Sequence, residues 1–329
     1  VLDEDGAPGE RNAVSCGSLE KKMGIHGNGT CVMNYDGATG YLIGEPEKGL
    51  RAMFIMMNAA RLGVGMQGLS VSELAYQNAA AYAQDRIQGR SLSGPKNSQD
   101  KADPIIVHAD VRRMLLNIKA FNEAARALAL WTAVQVDLAH IAESPEERQR
   151  ADDLVGLMTP IIKAYFTDQG YDNATNAQQC LGGHGYIREW GLEQCVRDAR
   201  IAMIYEGTNG IQALDLVGRK LALNGGRAYR TFMEMVTALI QQLDGESMRL
   251  YQSGLSTAVT DLNAATEWLR EHGQTDPDNA GAGAVPYLRL FALVSMGYMW
   301  ALIAVTCNQR VSARGYFELA FYQNKLVTA

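Results

Sequence analysis

The pattern of apolar and polar positions divides the chain into a glycine-rich first part and a long helical remainder. Residues 1–50 hold short β-type runs, such as 31–35 and 40–43, between stretches rich in Gly, Asp and Asn. Such runs bounded by turn residues predict strands. They are too few for an independently stable sheet. We therefore expect the last strands of a larger sheet, and a chain that is a fragment of a longer protein.

Four long segments after residue 49 carry apolar residues at helical spacing, and short loops with Pro or Gly separate them. The predicted helices cover 50–85, 109–142, 145–182 and 196–223. Long amphipathic helices joined by short loops predict a four-helix bundle.

A second helical part follows the break at Asn224-Gly225-Gly226. Segments 228–272 and 286–327 predict a further helical hairpin, with 273–283 as a polar, Gly-rich linker. The most apolar run, 290–305, is shorter and more polar than a membrane span requires, so it predicts a buried helix instead.

Composition narrows the classes of partner. Hydrophobic residues make up 47 % and charged residues 20 % of the chain, as in globular proteins. The formal net charge of -6, without a clustered basic surface, argues against a nucleic-acid partner. The five cysteines form no C-x-x-C pair, which predicts the reduced thiols of a cytoplasmic protein.

Residues 179–212 carry the candidate chemistry, with the sequence QCLGGHGYIREWGLEQCVRDARIAMIYEGTNGIQ. Gly182 and Gly183 lie in a turn with little side-chain cover, where a ligand can approach backbone N–H groups. A glycine cluster alone is more often a helix break. Glu206 lies between an apolar run and small residues, a setting that suits a partly desolvated general base. A lone glutamate there is more often a surface residue, so the interpretation depends on the whole segment.

The order and spacing of two motifs in this segment resemble the acyl-CoA dehydrogenase signature. They are Gln-x-x-Gly-Gly-x-Gly-Tyr and Arg-Asp-Ala-Arg-Ile…Ile-Tyr-Glu-Gly-Thr-Asn-Gly-Ile-Gln. The likeness covers about residues 19–223, and the final hundred residues resemble an extension of the longer members. It implies a mostly-α chain: the tail of the β-domain (1–48), the C-terminal four-helix bundle (49–224) and an additional helical extension (225–329).

The resemblance also implies roles for residues near the proposed base. Glu206 would be the catalytic base, Thr208 would hydrogen-bond the flavin, and Gly207 would border the acyl chain. Asn58 and Arg61 fall where the family meets the acyl-CoA. Some relatives place the base one residue before the Arg61 position, where this chain has an alanine without acid–base chemistry.

A second set of implied contacts concerns FAD. Gln179, Gly182 and Gly183 would contact the FAD of a neighbouring subunit in a homodimer or homotetramer. Arg86 follows Arg61 at the family spacing and would approach the pyrophosphate of the partner's FAD, a role suited to a guanidinium. The next residues depart from the commonest family pattern, so no further contact in that loop is carried over.

The reaction that the resemblance implies is FAD-dependent α,β-dehydrogenation of an acyl-CoA in fatty acid metabolism. Glu206 would remove the α-proton, the flavin would accept the β-hydride, and an electron-transferring flavoprotein would accept the electrons. The alternatives are an acyl-CoA oxidase that uses oxygen and a non-catalytic helical oligomerisation module. A di-iron bundle is excluded because no histidine has Glu three residues before it, and no metal site is predicted. The acyl chain stays open, and we expect the chain alone to be incomplete for catalysis.

Overall fold

The computed structural model describes residues 1–273, 275–312 and 319–328. The chain forms two compact units, Val1–Ala60 and Arg61–Ala329. Its helices are α1 (Gly49–Asp85), α2 (Ala109–Ile141), α3 (Pro145–Cys180), α4 (Leu192–Ala202), α5 (Asn209–Asp215), α6 (Arg227–Ile240), α7 (Arg249–His272), α8 (Pro277–Ser312) and α9 (Leu319–Thr328). Helices hold 72 % of the residues, so the mostly-α prediction is confirmed.

The first unit contains a two-stranded antiparallel sheet and the beginning of α1. Strand β1 (Val14–Leu19) pairs with β2 (Cys31–Tyr35), with Val14 opposite Tyr35 and Leu19 opposite Cys31. The predicted strand at Cys31–Tyr35 is confirmed. The strand predicted at 40–43 is wrong, because that segment pairs with no strand in the described part of the chain and lies exposed as irregular chain.

The first three predicted helices are confirmed to within two residues at each end. Local signals account for this agreement. At the start of α3, the Ser144 hydroxyl accepts a hydrogen bond from the Glu147 N–H at 3.2 Å, and Pro145 occupies the first helical position.

The fourth predicted helix, 196–223, is wrong. Helix α4 ends at Ala202, α5 begins at Asn209, and α5 continues into a single π-helical turn, Leu216–Lys220. Between α4 and α5, Glu206 and Gly207 have φ angles of +57° and +87°. A right-handed helix cannot continue through left-handed backbone, so the turn separates two short helices.

Helix α3 is the centre of the second unit. It is buried along most of its length and packs against α2, α4, α5, α6 and α8. The second part of α1 meets α3 at Gly68 and Gly170, where a Cβ on Gly170 would lie 2.5 Å from the Gly68 carbonyl oxygen. Backbone contact between these helices therefore depends on glycine at both positions.

The C-terminal extension forms helices α6 to α9. Phe232 of α6 stacks on Phe291 of α8 with ring centroids 5.6 Å apart. The predicted 273–283 linker is wrong over much of its length, because α8 begins at Pro277 and carries Pro286 inside it. Helix α8 is long and apolar enough to cross a membrane, but 56 % of its most apolar window is buried inside the protein. The predicted buried helix is thus confirmed.

Candidate functional site

The turn between α4 and α5 holds Glu206 in a strained conformation. A non-glycine residue in the left-handed region costs ~1–2 kcal/mol, so the surroundings must hold it there. The turn is closed by the Asn209 N–H, which donates to the Met203 carbonyl at 3.1 Å. The Tyr205 N–H donates to the Ile201 carbonyl at 3.1 Å.

Buried side chains bind the two carbonyl groups of this turn. Arg61 Nε donates to the Glu206 carbonyl at 3.3 Å, and Lys163 Nζ donates to the Gly207 carbonyl at 2.7 Å. Gln212 Nε2 donates to both carbonyls, at 3.4 and 3.3 Å. A Cβ on Gly207 would lie 2.5 Å from Gln212 Nε2, so a side chain there would displace the Gln212 amide from the turn carbonyls and would also be strained by the φ angle.

Lys163 and Asn209 connect the turn to α3. Lys163 Nζ donates to Asn209 Oδ1 at 2.9 Å, and Asn209 Nδ2 donates to Asp168 Oδ1 at 2.6 Å and to the Ala164 carbonyl at 3.1 Å. Burial lowers the pKa of Lys163 to about 8, against the opposing effect of the Asp168 carboxylate. Burial also raises the pKa of Asp168. The polar groups are thus held in a low-dielectric environment, where their hydrogen bonds are strong.

Three buried polar atoms between residues 206 and 215 have no hydrogen-bond partner within the described residues. They are Glu206 Oε2, Gln212 Oε1 and Asp215 Oδ2. The N–H groups of Glu206, Gly207 and Thr208 likewise meet no acceptor in the described part of the chain. Unpaired buried polar groups are rare in native proteins and need an explanation. A carboxylate beside free N–H donors can accept a proton while the donors stabilise an oxyanion.

The loop that follows α3, Gly182–Tyr186, is called the glycine loop, and it lies beside the end of α1. Tyr82, one turn before Arg86, places its hydroxyl 2.9 Å from His184 Nδ1, and the His184 ring stacks on Trp190 at 4.6 Å. Gly182 and Gly183 are exposed, and a Cβ on either would meet nothing within 4 Å. This open backbone leaves room for a ligand to approach closely.

The structure places the predicted site residues in two groups. Around the turn it brings together Arg61, Glu206, Gly207 and Thr208, of which Thr208 is exposed. At the other group, Arg86 and Gln179 are exposed near the glycine loop, with Gly182 and Gly183. Asn58 belongs to the first unit, where it is exposed on α1.

Sequence reasoning missed Lys163, Asn209 and Gln212. Lys163 stands in an apolar run, Pro-Ile-Ile-Lys-Ala-Tyr-Phe, and this isolation was the available signal for a buried cation. Asn209 and Gln212 belong to the conspicuous segment, but nothing local shows that they face α3 and the turn carbonyls. No cluster of metal-binding side chains occurs within residues 1–273, 275–312 and 319–328.

Comparison with known proteins gives consistent matches. Residues 47–222 match the family model "Acyl-CoA dehydrogenase, C-terminal domain", and residues 232–329 match "Acetyl-CoA dehydrogenase C-terminal like". The chain is 43 % identical over 332 residues to 3-methylmercaptopropionyl-CoA dehydrogenase of Ruegeria pomeroyi, which covers all of this chain and 55 % of the relative. The chain thus spans about half the length of the curated relatives it matches.

Two solved structures share the fold at 20 % identity. Caenorhabditis elegans ACDH-11 in complex with C11-CoA superposes with a TM-score of 0.75, over 92 % of this chain and 47 % of that one. An acyl-CoA dehydrogenase of Bacillus anthracis complexed with FAD gives a TM-score of 0.71, over 96 % and 52 %. The family models, the sequence relative and the helical fold agree, and the chain therefore belongs to the acyl-CoA dehydrogenase family of flavoprotein oxidoreductases.

Proposed function

We propose that this chain supplies the catalytic base, and part of the flavin and acyl-CoA contacts, for α,β-dehydrogenation of an acyl-CoA thioester. The observation that carries the proposal is the turn at Glu206. Its carboxylate oxygen Oε2 is buried without a partner among the described residues, and the backbone N–H groups of residues 206–208 meet no acceptor there. Family membership supplies the reaction class, and the turn supplies a group able to start it.

Glu206 acts as general base in this proposal. Its carboxylate takes the α-proton of the thioester, and the electron pair of that C–H bond forms the new α,β double bond as the β-hydrogen leaves as hydride. Bound FAD would supply the hydride acceptor. Removing an α-proton puts negative charge on the thioester oxygen, and preorganised N–H donors lower the barrier by stabilising that charge. The Glu206 N–H is the proposed donor.

The remaining predicted residues divide between substrate and cofactor. Gly207 would border the acyl chain, Asn58 and Arg61 would meet the acyl-CoA, and Thr208 would hydrogen-bond the flavin. Arg61 has a further task in the structure, since its Nε holds the Glu206 carbonyl.

The glycine loop is proposed to serve the FAD of a neighbouring subunit in a homodimer or homotetramer. Gln179, Gly182 and Gly183 would contact the dinucleotide. Arg86, exposed at the end of α1, would approach the pyrophosphate.

The substrate class is an acyl-CoA, and the name of the 43 % identical relative makes a short thioether acyl-CoA the first substrate to test. An electron-transferring flavoprotein is the proposed electron acceptor, and the cytoplasm is the proposed location. Oxygen as acceptor is the competing outcome, and hydrogen peroxide released during aerobic turnover would identify it.

The test uses the complete gene product that carries this chain, loaded with FAD. We expect an acyl-CoA to bleach the flavin absorbance under anaerobic conditions. Glu206→Gln should keep FAD and acyl-CoA binding but lower the bleaching rate ~10²–10⁴-fold, the usual contribution of a general base. Glu234→Gln is the matched control, because Glu234 is exposed on α6.

Two outcomes would overturn the proposal. A Glu206→Gln protein that bleaches as fast as the unsubstituted protein would remove Glu206 as the base. A protein that retains no FAD and forms stable dimers or tetramers would favour the non-catalytic oligomerisation module instead.

A further inference from the structure

Lys163 is a buried cation beside the turn at Glu206. It lies in the middle of α3 with none of its side chain exposed, and it makes no ion pair within the described residues. Its ammonium donates to two neutral acceptors, the Gly207 carbonyl at 2.7 Å and Asn209 Oδ1 at 2.9 Å.

Burying an ammonium without a bound carboxylate is unfavourable. The ion loses its hydration shell, and here it gains no counter-charge in direct contact. The lowered pKa of Lys163, caused first by burial, reflects the same cost. The contacts of Lys163 with the turn indicate what offsets this cost.

The orientation of the peptide groups in the turn explains what a donor on the α3 side does. All peptide bonds described are trans, and in a trans peptide the C=O and N–H point in opposite directions. The Gly207 carbonyl shares its peptide plane with the Thr208 N–H. When Lys163 binds that carbonyl from the α3 side, the Thr208 N–H must point away from α3.

The same logic applies to the preceding peptide. Arg61 and Gln212 bind the Glu206 carbonyl, so the Gly207 N–H of that plane also points away from them. In agreement, neither the Gly207 N–H nor the Thr208 N–H meets an acceptor among the described residues. The buried donors therefore hold two successive N–H groups pointing away from themselves.

We propose that Lys163 is a positioning residue of this site. Through the Gly207 carbonyl and the Asn209 side chain it holds the peptide between Gly207 and Thr208 in one orientation. The Thr208 N–H then faces the bound ligand next to the Glu206 carboxylate. This inference rests on the proposed function for its catalytic consequence, but the orientation of the peptide can be tested without turnover.

Asn209 gives the positioning its rigidity. Its Oδ1 accepts from Lys163, and its Nδ2 donates to Asp168 and to the Ala164 carbonyl on the same face of α3. Its backbone N–H closes the turn on the Met203 carbonyl at 3.1 Å. Lys163 and Asn209 thus form one hydrogen-bonded unit, and loss of either should loosen the same turn.

The test compares three variants of the complete gene product. Lys163→Met keeps the length of the side chain and removes its donors. Asn209→Ala removes the other half of the unit and serves if Lys163→Met does not fold. Thr159→Val is the matched control, because Thr159 lies one turn earlier on α3, is buried, and donates only to the Val155 carbonyl of its own helix.

Two readouts are combined. In the ligand-free protein, hydrogen exchange at the Asn209 and Gln212 amides should be at least ~10-fold faster in Lys163→Met and Asn209→Ala, with exchange along α3 unchanged. With bound FAD, flavin reduction at saturating acyl-CoA should slow by ~10²-fold, as expected for a small misplacement of catalytic groups. The dissociation constant for acyl-CoA should change little, and Thr159→Val should change neither readout.

Each combination of the two readouts supports or overturns the positioning role of Lys163. Wild-type exchange and wild-type reduction in Lys163→Met would overturn the positioning role. Faster exchange throughout α3, with weaker acyl-CoA binding in proportion, would also overturn it by showing a merely structural role. Faster exchange confined to the turn, in a protein whose parent does not dehydrogenate acyl-CoA, would support the positioning and refute the proposed function.

Discussion

Replacing Gly68 by Ala tests how closely α1 and α3 approach each other. A Cβ on Gly68 would lie 2.5 Å from the Phe166 carbonyl oxygen and 2.9 Å from Thr167 Cα. Ordinary van der Waals contact begins at 3.4 Å, so the helices would have to separate locally by about 0.9 Å (3.4 − 2.5). The obstacle is helix backbone rather than the end of a flexible side chain, and it cannot rotate away.

The expected loss of stability is the difference between two effects. Overpacking a well-packed core costs ~1–3 kcal/mol, and Ala improves helix propensity over Gly by ~1 kcal/mol. We therefore expect Gly68→Ala to lower the free energy of unfolding by up to about 2 kcal/mol. Gly63 is the matched control, because it lies exposed on the same helix and its Cβ would meet nothing within 4 Å. Gly63→Ala should raise the free energy of unfolding by up to ~1 kcal/mol.

Urea unfolding followed by far-ultraviolet circular dichroism measures both variants against the unsubstituted protein. The two substitutions add the same methyl group to the same helix. Changes of opposite sign in the free energy of unfolding can therefore come only from the atoms that surround each methyl group. Equal stability of the two variants would refute the close approach of α1 and α3. Arg61 lies two turns before Gly68, so we also expect the separation in Gly68→Ala to weaken the Arg61 bond to the Glu206 carbonyl.

Two further predictions concern buried charge. The pKa of Lys163 is about 8 in the folded chain against 10.5 as the ordinary value, so between these pH values the unfolded chain binds more protons than the folded one. The free energy of unfolding of the unsubstituted protein, minus that of Lys163→Met, should therefore rise by about 3 kcal/mol from pH 8 to pH 10.5. Below pH 8 this difference should not change with pH. A difference that stays constant up to pH 10.5 would contradict the burial of the ammonium. Arg227 makes a two-point ion pair with the buried Asp153 carboxylate, linking α6 to α3. Thermal unfolding should show Arg227→Ala with a lower Tm, because it leaves the buried Asp153 carboxylate without its ion-pair partner, whereas Arg227→Ala combined with Asp153→Asn should recover part of that loss; no recovery would argue against the pair as the cause.

Much of the helical framework could be predicted from the sequence because its signals are local. The bounds of α1, α2 and α3 follow from apolar spacing and from punctuation such as Ser144-Pro145, which acts within a few residues of the chain. The motif around Glu206 was equally legible, since it is a contiguous run of letters.

The prediction of one helix over 196–223 ran through Gly207-Thr208-Asn209-Gly210, although two glycines so close together are a turn signal. Left-handed backbone at Glu206 is unfavourable by itself. It persists because Arg61, Lys163 and Gln212, from three different helical segments, bind the two carbonyl groups of the turn.

The sequence by itself determined the first three long helices and the family motif around Glu206. The tertiary structure decided what surrounds them. A lysine in a helix predicts a solvated side chain, and only the packing of the turn against α3 gives Lys163 its burial and its acceptors. The physical reason is that helix formation depends on neighbours three or four residues apart, whereas burial and hydrogen-bond partners depend on residues far away in the chain, 145 positions apart for Arg61 and Glu206.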